Sequence, residues 1–351
     1  MVDRIVAATL YEGYILYPYR ASSVKNQVRW TFGGVFPRAY SEAVGGTDPH
    51  VATTECLLRG GDDARVEVRV RFLHVVTRTA TRLLEPLPQP PLPGPLPELE
   101  RVATVDVDGV THRSWEEAAE RELDAGTRTL SALFAEPQRL SLRVDAGSEA
   151  QWLRDSDGSV TAALLRGHEP LVVNLEIGAE RLTGDIAKVR VSISNVSPVS
   201  AAQIADRNAA LRHALVSTHV MLGAANGTWL SLADPPADAD EAAAACCNVG
   251  LWPVLVGEPG SADTILASPI ILEDHPQLAP ESPGDLFDAT EIDEILSLRI
   301  LTLTDAEKEE MRSADERARA MLDRTESLTQ DDFMRMHGAV RSTRPHIGGG
   351  P

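Results

Sequence analysis

Between Arg65 and Val76 the chain alternates with a period of two. Val66, Val68, Val70 and Phe72 fall on one side, and Arg65, Glu67, Arg69 and Arg71 on the other. Successive side chains of a strand point to opposite faces, so this run predicts a half-buried antiparallel strand. A second β-prone run spans 11–19, and Gly33-Gly34, Gly45-Gly46 and Gly60-Gly61 read as turn punctuation. Residues 102–111 predict a hairpin turning at Asp108-Gly109, a dipeptide suited to the positive φ angles of a type I′ turn. Trp115 to Phe134 has helical spacing, with Ser114 as N-cap and Glu117 completing a capping box. Strands are predicted near 139–145, 159–166, 170–178 and 186–195, followed by a helix near 200–217. A second hairpin, 220–232, is expected to turn at Asn226-Gly227, and apolar strands are expected near 249–256 and 264–272.

Towards the C-terminus the pattern becomes helical. Asp288 with Glu291, Thr304 with Glu307 and Ser313 with Glu316 each have capping-box spacing. Ala314, Ala318, Met321, Leu322 and Thr325 would share one helix face. Strands precede helices with few clean alternations, so the expected class is α+β: mainly antiparallel sheets with a helical C-terminal segment.

Seven of the twelve residues 86–97 are Pro. Such a run favours polyproline II and reads as a stiff spacer. It divides the chain into a β-rich N-terminal domain (1–85), a Pro-rich linker (86–98) and an α+β domain (99–280). An acidic helical segment (281–340) and a flexible tail (341–351) follow.

Charge adds direction. The 351-residue chain has a net charge of −19 and only three lysines, Lys25, Lys188 and Lys308. That balance argues against nucleic acid and anionic membranes, which require clustered cations. No stretch approaches the roughly 20 apolar residues of a membrane span, and Met1 to Ala8 is too short and polar for a signal peptide. Cys56, Cys246 and Cys247 form no CxxC pair, as expected of a soluble cytoplasmic protein.

The acidity is unevenly spread. Residues 231–338 hold 24 Asp or Glu against 7 Arg or Lys, whereas the first forty residues carry a net +3. Those forty also hold 8 of the 16 aromatic residues. Tyr, Trp and Arg anchor many protein interfaces because they desolvate a large area and still donate directed hydrogen bonds. Tyr17, Tyr19, Arg20, Lys25, Arg29, Trp30 and Arg38 are therefore candidate partner-binding residues. The same segment also reads as the aromatic core of the β domain, or as a surface docked on the acidic tail.

Catalytic signatures are absent: there is no GxSxG, Walker A, GxGxxG or HExxH motif, and no catalytic residue is assigned. Cys246-Cys247, joined in space by Cys56, His74 or His219, could hold a soft metal or perform thiol chemistry. The plainer reading makes the cysteines small buried hydrophobes. Asp274-His275 could be a base with its orienting carboxylate, Asp106-Val107-Asp108-Gly109 and Asp155-Ser156-Asp157-Gly158 resemble the opening of a calcium loop without its closing Glu, and the acidic run 285–294 could bind a metal; loop, turn and helix-start chemistry explains all four. No cofactor is expected.

Three stretches carry a resemblance: LYEGYILYPYRASSVKNQVRWTFGGVFPRAY at 10–40, HPQLAPESPGDLFDATEIDEILSLRILTLTDAEK at 275–308, and ERARAMLDRTE at 316–326. They resemble an accessory protein family encoded with bacterial high-affinity, actinobacterial-type nickel–iron hydrogenases. The resemblance implies maturation, subunit assembly or quality control, and supplies no catalytic residues. The expected function is thus a non-catalytic accessory protein that binds a partner, a hydrogenase subunit or maturation factor. The alternative is a metal- or thiol-dependent enzyme, or a metal carrier, using the three cysteines and nearby histidines.

Overall fold

The computed structural model describes residues 2–12, 33–92, 94–277, 300–314, 316–327 and 329. Its organising element is β1 (Val51–Leu87), a strand of 37 residues. Val66 to Phe72 alternate buried and open as the valine–arginine pattern requires. Every strand that bonds β1 runs antiparallel to it. These are β2 (Leu99–Val102), β5 (Trp115–Thr129), β8 (Val160–His168), β10 (Ile186–Asn195) and β11 (Val216–Leu230). Five more strands complete the sheet. β6 (Gln138–Val144) pairs β9 (Leu171–Arg181), which pairs β10, while β12 (Trp252–Leu255) pairs β13 (Thr264–Ser268), which pairs β11. With β7 (Gly147–Arg154) beside β8, the sheet has 11 strands. Strands on both sides of the Pro-rich stretch share this one sheet.

The expected α+β class with a helical C-terminal segment is therefore wrong: the chain is mostly antiparallel β with few, short helices. Of the described helices, none exceeds 12 residues. Asp305–Ala314 and Glu316–Ser327 pack on each other, and the first lies against β4 (Val110–Arg113). Thr304 and Glu307 do form their capping box, with the Thr304 amide donating to Glu307 and the Glu307 amide to Thr304 Oγ1. Asp288 and Glu291 lie outside the described residues, as does the β-prone run from residue 13 onward. Residues 2–12 form helix α1 (Val2–Glu12).

The largest correction concerns 115–134. Residues 115–129 are β5, and only α3 (Leu130–Ala135) is helical. Ser114 cannot cap a helix there, because its hydroxyl donates to the Val102 carbonyl and accepts from the Ala80 amide. The glutamates that suggested a helix instead face arginines across the ladder. Glu120 pairs Arg71 at 2.6 Å and Glu117 pairs Arg78 at 2.9 Å. Helix propensity is a weak prior, and a long free ladder on β1 overrides it.

Near 200–217 the expected helix breaks into α4 (Ala201–Ile204) and α5 (Arg207–Leu211) before β11 begins. The turn expected at Asn226-Gly227 is also absent. A type I′ turn needs positive φ at both central residues, and only Asn226 has it, at 57°. β11 runs on, and Gly227 sits opposite Gly60, where β1 bulges outward through 61–64. The Asp108-Gly109 turn does form, with φ 52° and 79°, between β3 (Thr104–Val107) and β4.

The main core lies on one face of the sheet. Cys56, Leu58, Val66, Val68, Val70 and Phe72 of β1 meet Val173, Leu175 and Ile177, Val189 and Val191, and Leu130 and Leu133 of α3. The other face is covered piecemeal. Ile5 and Val6 of α1 pack on Met221 and Leu266. Leu10, Phe36 and Tyr40 pack on Leu73, Val75 and Val216. On the main-core side, towards the far end of β1, Val105 and Val107 of the β3–β4 hairpin pack on Ala80, Ala162 and Leu164.

A β-carbon at Gly60 would stand 2.9 Å from the Ala64 methyl, closer than real carbons approach. Gly60→Ala is expected to cost about 1–3 kcal/mol in chemical denaturation, as overpacking does. Gly61→Ala, which meets only the Asp63 carboxylate, should cost less.

Candidate functional site

One side of the sheet carries a polar face that no described element covers. In β6, Leu140, Leu142 and Val144 pack partly against the main core, so Arg139, Ser141 and Arg143 must point outward. The register continues this face across the neighbouring strands. Arg139 stands beside Glu176, Ser141 beside Asn174, and these beside Ser192 and Ser194 of β10. The result is an open groove of about 670 Å³ lined by Arg139, Ser141, Asn174, Glu176, Arg190 and Ser192, among others. Arg139 Nε donates to Glu176 Oε2 at 2.7 Å. Arg190 lies 3.7 Å from Glu55, whose nearly buried carboxylate also accepts the Cys247 amide at 2.8 Å. A second depression of about 450 Å³, lined by Arg128, Glu136, Pro137 and Gln138, meets the first at Arg139. β6 closes this end of the sheet: it has β9 on one side and no described strand on the other.

The candidate partner-binding residues Tyr17, Tyr19, Arg20, Lys25, Arg29 and Trp30 lie outside the described residues. Arg38 is exposed at the start of α2 (Arg38–Ala43). Of the aromatic residues grouped with them, Phe36 and Tyr40 are core, 2% and 3% exposed.

The structure does not bring the cysteines and histidines into one centre. Cys56 is buried beside Val189, and Cys246 packs near Leu57 and Ile186. Burial pushes the Cys56 thiol up to about 12, against the opposing bond from Thr54. Burial and the nearby Glu55 push Cys246 up to about 11. Both therefore stay protonated at neutral pH, whereas thiolate is the nucleophile and the metal ligand. Cys247 is exposed. Among the described residues, no group of three or more His, Cys, Asp or Glu is placed to hold a metal ion.

His219 is instead a buried pin between α1 and β11. Its Nδ1–H donates to the Ser217 carbonyl at 2.7 Å, which leaves Nε2 to accept from Thr9 Oγ1 at 3.0 Å. His74 is equally buried, 5.1 Å from the ring of His168, with neither ring nitrogen in hydrogen-bond geometry. Asp274 does not orient His275. It takes the Ser231 hydroxyl at 2.5 Å and the Leu255 amide at 2.8 Å, tying two loops together. Asp106 accepts the Gly109 amide and the Thr111 hydroxyl, and Asp155 accepts the Ser159 amide, as turn residues do.

Sequence reasoning located β6 as a strand but not its outward arginines as a surface. The signal was present in QRLSLRV, where Arg alternates with Leu. What it lacked was the knowledge that β6 is an edge.

The chain matches no family model, no curated protein and no solved structure. No helix among the described residues is long and apolar enough to cross a membrane.

The two buried histidines set a pH dependence. Burial, the His168 ring and Arg121 lower His74 to about 3. Burial lowers His219 to about 4. As pH falls below about 6.5 the unfolded chain takes up protons that the folded chain refuses. Stability present above that value is therefore lost on acidification, each ring contributing up to about 1.4 kcal/mol per pH unit. Urea midpoints between pH 7 and 5 should fall accordingly. His74→Leu should flatten the slope, and an unchanged slope would remove His74 from the account.

Proposed function

We propose that this chain is a non-catalytic accessory protein that works by binding a partner protein. The resemblance of its ends points to a nickel–iron hydrogenase subunit, or a factor that matures one, as the partner. The observation that carries this reading is the bare polar face of β6, β9 and β10 ending in an unpaired edge strand. The reverse side of these strands packs into the main core, while α1 and the segment around Phe36 and Tyr40 cover the polar side only over β11 and the middle of β1, so the stretch over β6, β9 and β10 is available for recognition. A role in assembly requires differential binding: the chain must hold an incomplete partner more tightly than the finished one. The raised pKa values of Cys56 and Cys246 favour this reading over chemistry by those two thiols.

Affinity purification of the tagged chain from its native host tests the reading. Hydrogenase subunits or their maturation factors should co-elute in near-stoichiometric amount, identified by mass spectrometry, and more from cells blocked in hydrogenase maturation. Elution without them, with stoichiometric metal bound to the chain, would favour a metal carrier instead.

A further inference from the structure

Resting on the partner-binding reading, β6 itself indicates the chemistry of what it binds. An edge strand presents a row of backbone donors and acceptors that a further strand can complete. Here the row is flanked by positive charge. Residues 138–144 contain Arg139 and Arg143 and no acid, in a chain whose net charge is −19. Both arginines are exposed, and Arg128 stands at the adjoining depression. Arg139 keeps donors beyond the one it gives to Glu176, because a guanidinium carries five N–H groups. Arg143 has no ion pair among the described residues.

A second copy of this chain is the wrong occupant. Two β6 strands paired antiparallel about Ser141 would set Arg139 opposite Arg143 twice, and like charges directly opposite are destabilising. An acidic strand meets the reverse situation.

We propose that β6 accepts an extended acidic peptide of the partner as an added antiparallel strand, with two carboxylates four residues apart opposite Arg139 and Arg143. The intervening positions opposite Leu140 and Leu142 fall on the inner face, where those leucines are partly buried against the main core, so they take apolar side chains. The motif is acid, apolar, any residue, apolar, acid. Backbone pairing supplies the docking, and the two arginines, as forked donors to carboxylate, supply the register.

Calorimetric titration of the full chain with a capped peptide bearing Glu-Val-Thr-Val-Glu, against one bearing Lys-Val-Thr-Val-Lys, tests this. The glutamate peptide should bind on the order of tenfold or more tightly, and less tightly as salt rises. Hydrogen exchange should show new protection in 138–144. The double variant Arg139→Glu/Arg143→Glu should invert the preference; its arginines are exposed, so its melting temperature should stay close to that of the parent. If the variant does not fold, the parent's peptide preference, salt response and exchange protection decide alone. Equal binding of both peptides, no binding of the glutamate peptide at millimolar concentration, or protection confined to other strands would overturn the proposal. Partner capture in the purification above that survives the charge reversal would also overturn it, while leaving the accessory reading intact. Failure to capture any hydrogenase protein would end that reading instead.

Discussion

Strand β1 must find hydrogen-bond partners along 37 residues, on both sides through much of its length, and the rest of the molecule is arranged to supply them. No single neighbour is long enough. β10 gives way to β5 and then β2 along one flank, and β11 gives way to β8 along the other. The handover from β10 to β5 coincides with the bulge between Gly60 and Arg65, where Gly60 and Gly227 face each other closely. An unpaired buried backbone group costs about as much as a lost hydrogen bond, so a strand of this length recruits nearby segments into its ladder whatever their local preference. That constraint also explains why the faces are covered in patches: one element cannot span them, and several short ones do.

Much of the sheet could be read from the sequence, and the errors share a cause. Period-two and apolar runs marked the centre of β1 and strands β6, β8, β9 and β10 within a few residues, because such patterns are local and strong, whereas β7 was missed. The Asp108-Gly109 hairpin was readable because its turn chemistry is local too. The misassigned helix at 115–134 and the turn at Asn226-Gly227 failed where the deciding partner was distant in sequence. Glu117 resembles a capping residue until Arg78 and Arg166 are seen to hold it, each at 2.9 Å. Asn226-Gly227 resembles a turn until the bulge at 61–64 appears opposite. The cysteines and His219 suggested a metal or thiol centre because sequence shows residue type and not distance; Cys56 is buried in the core, Cys246 half-buried, Cys247 exposed, and His219 satisfied by a backbone carbonyl and a hydroxyl.

The polar face follows from the same geometry. A sheet built around one central strand must end somewhere, and β6 is one of its ends. Its arginines guard against pairing with another copy of itself, as charged side chains do at natural sheet edges. Charge that repels an identical strand attracts an acidic one, so protection and recognition share the same two residues. The face needs no strained geometry and no reactive group, which suits the proposed role of holding another protein for a time.

Native-state hydrogen exchange resolved by residue tests the central claim, that β1 is a doubly paired strand and β6 an open edge. The account expects amides from 65 to 75 to be among the slowest to exchange, opening only with global unfolding, while the β6 amides turned away from β9 exchange as readily as loops. Rapid exchange along the middle of β1, or strong protection of both sides of β6 in the isolated chain, would contradict it.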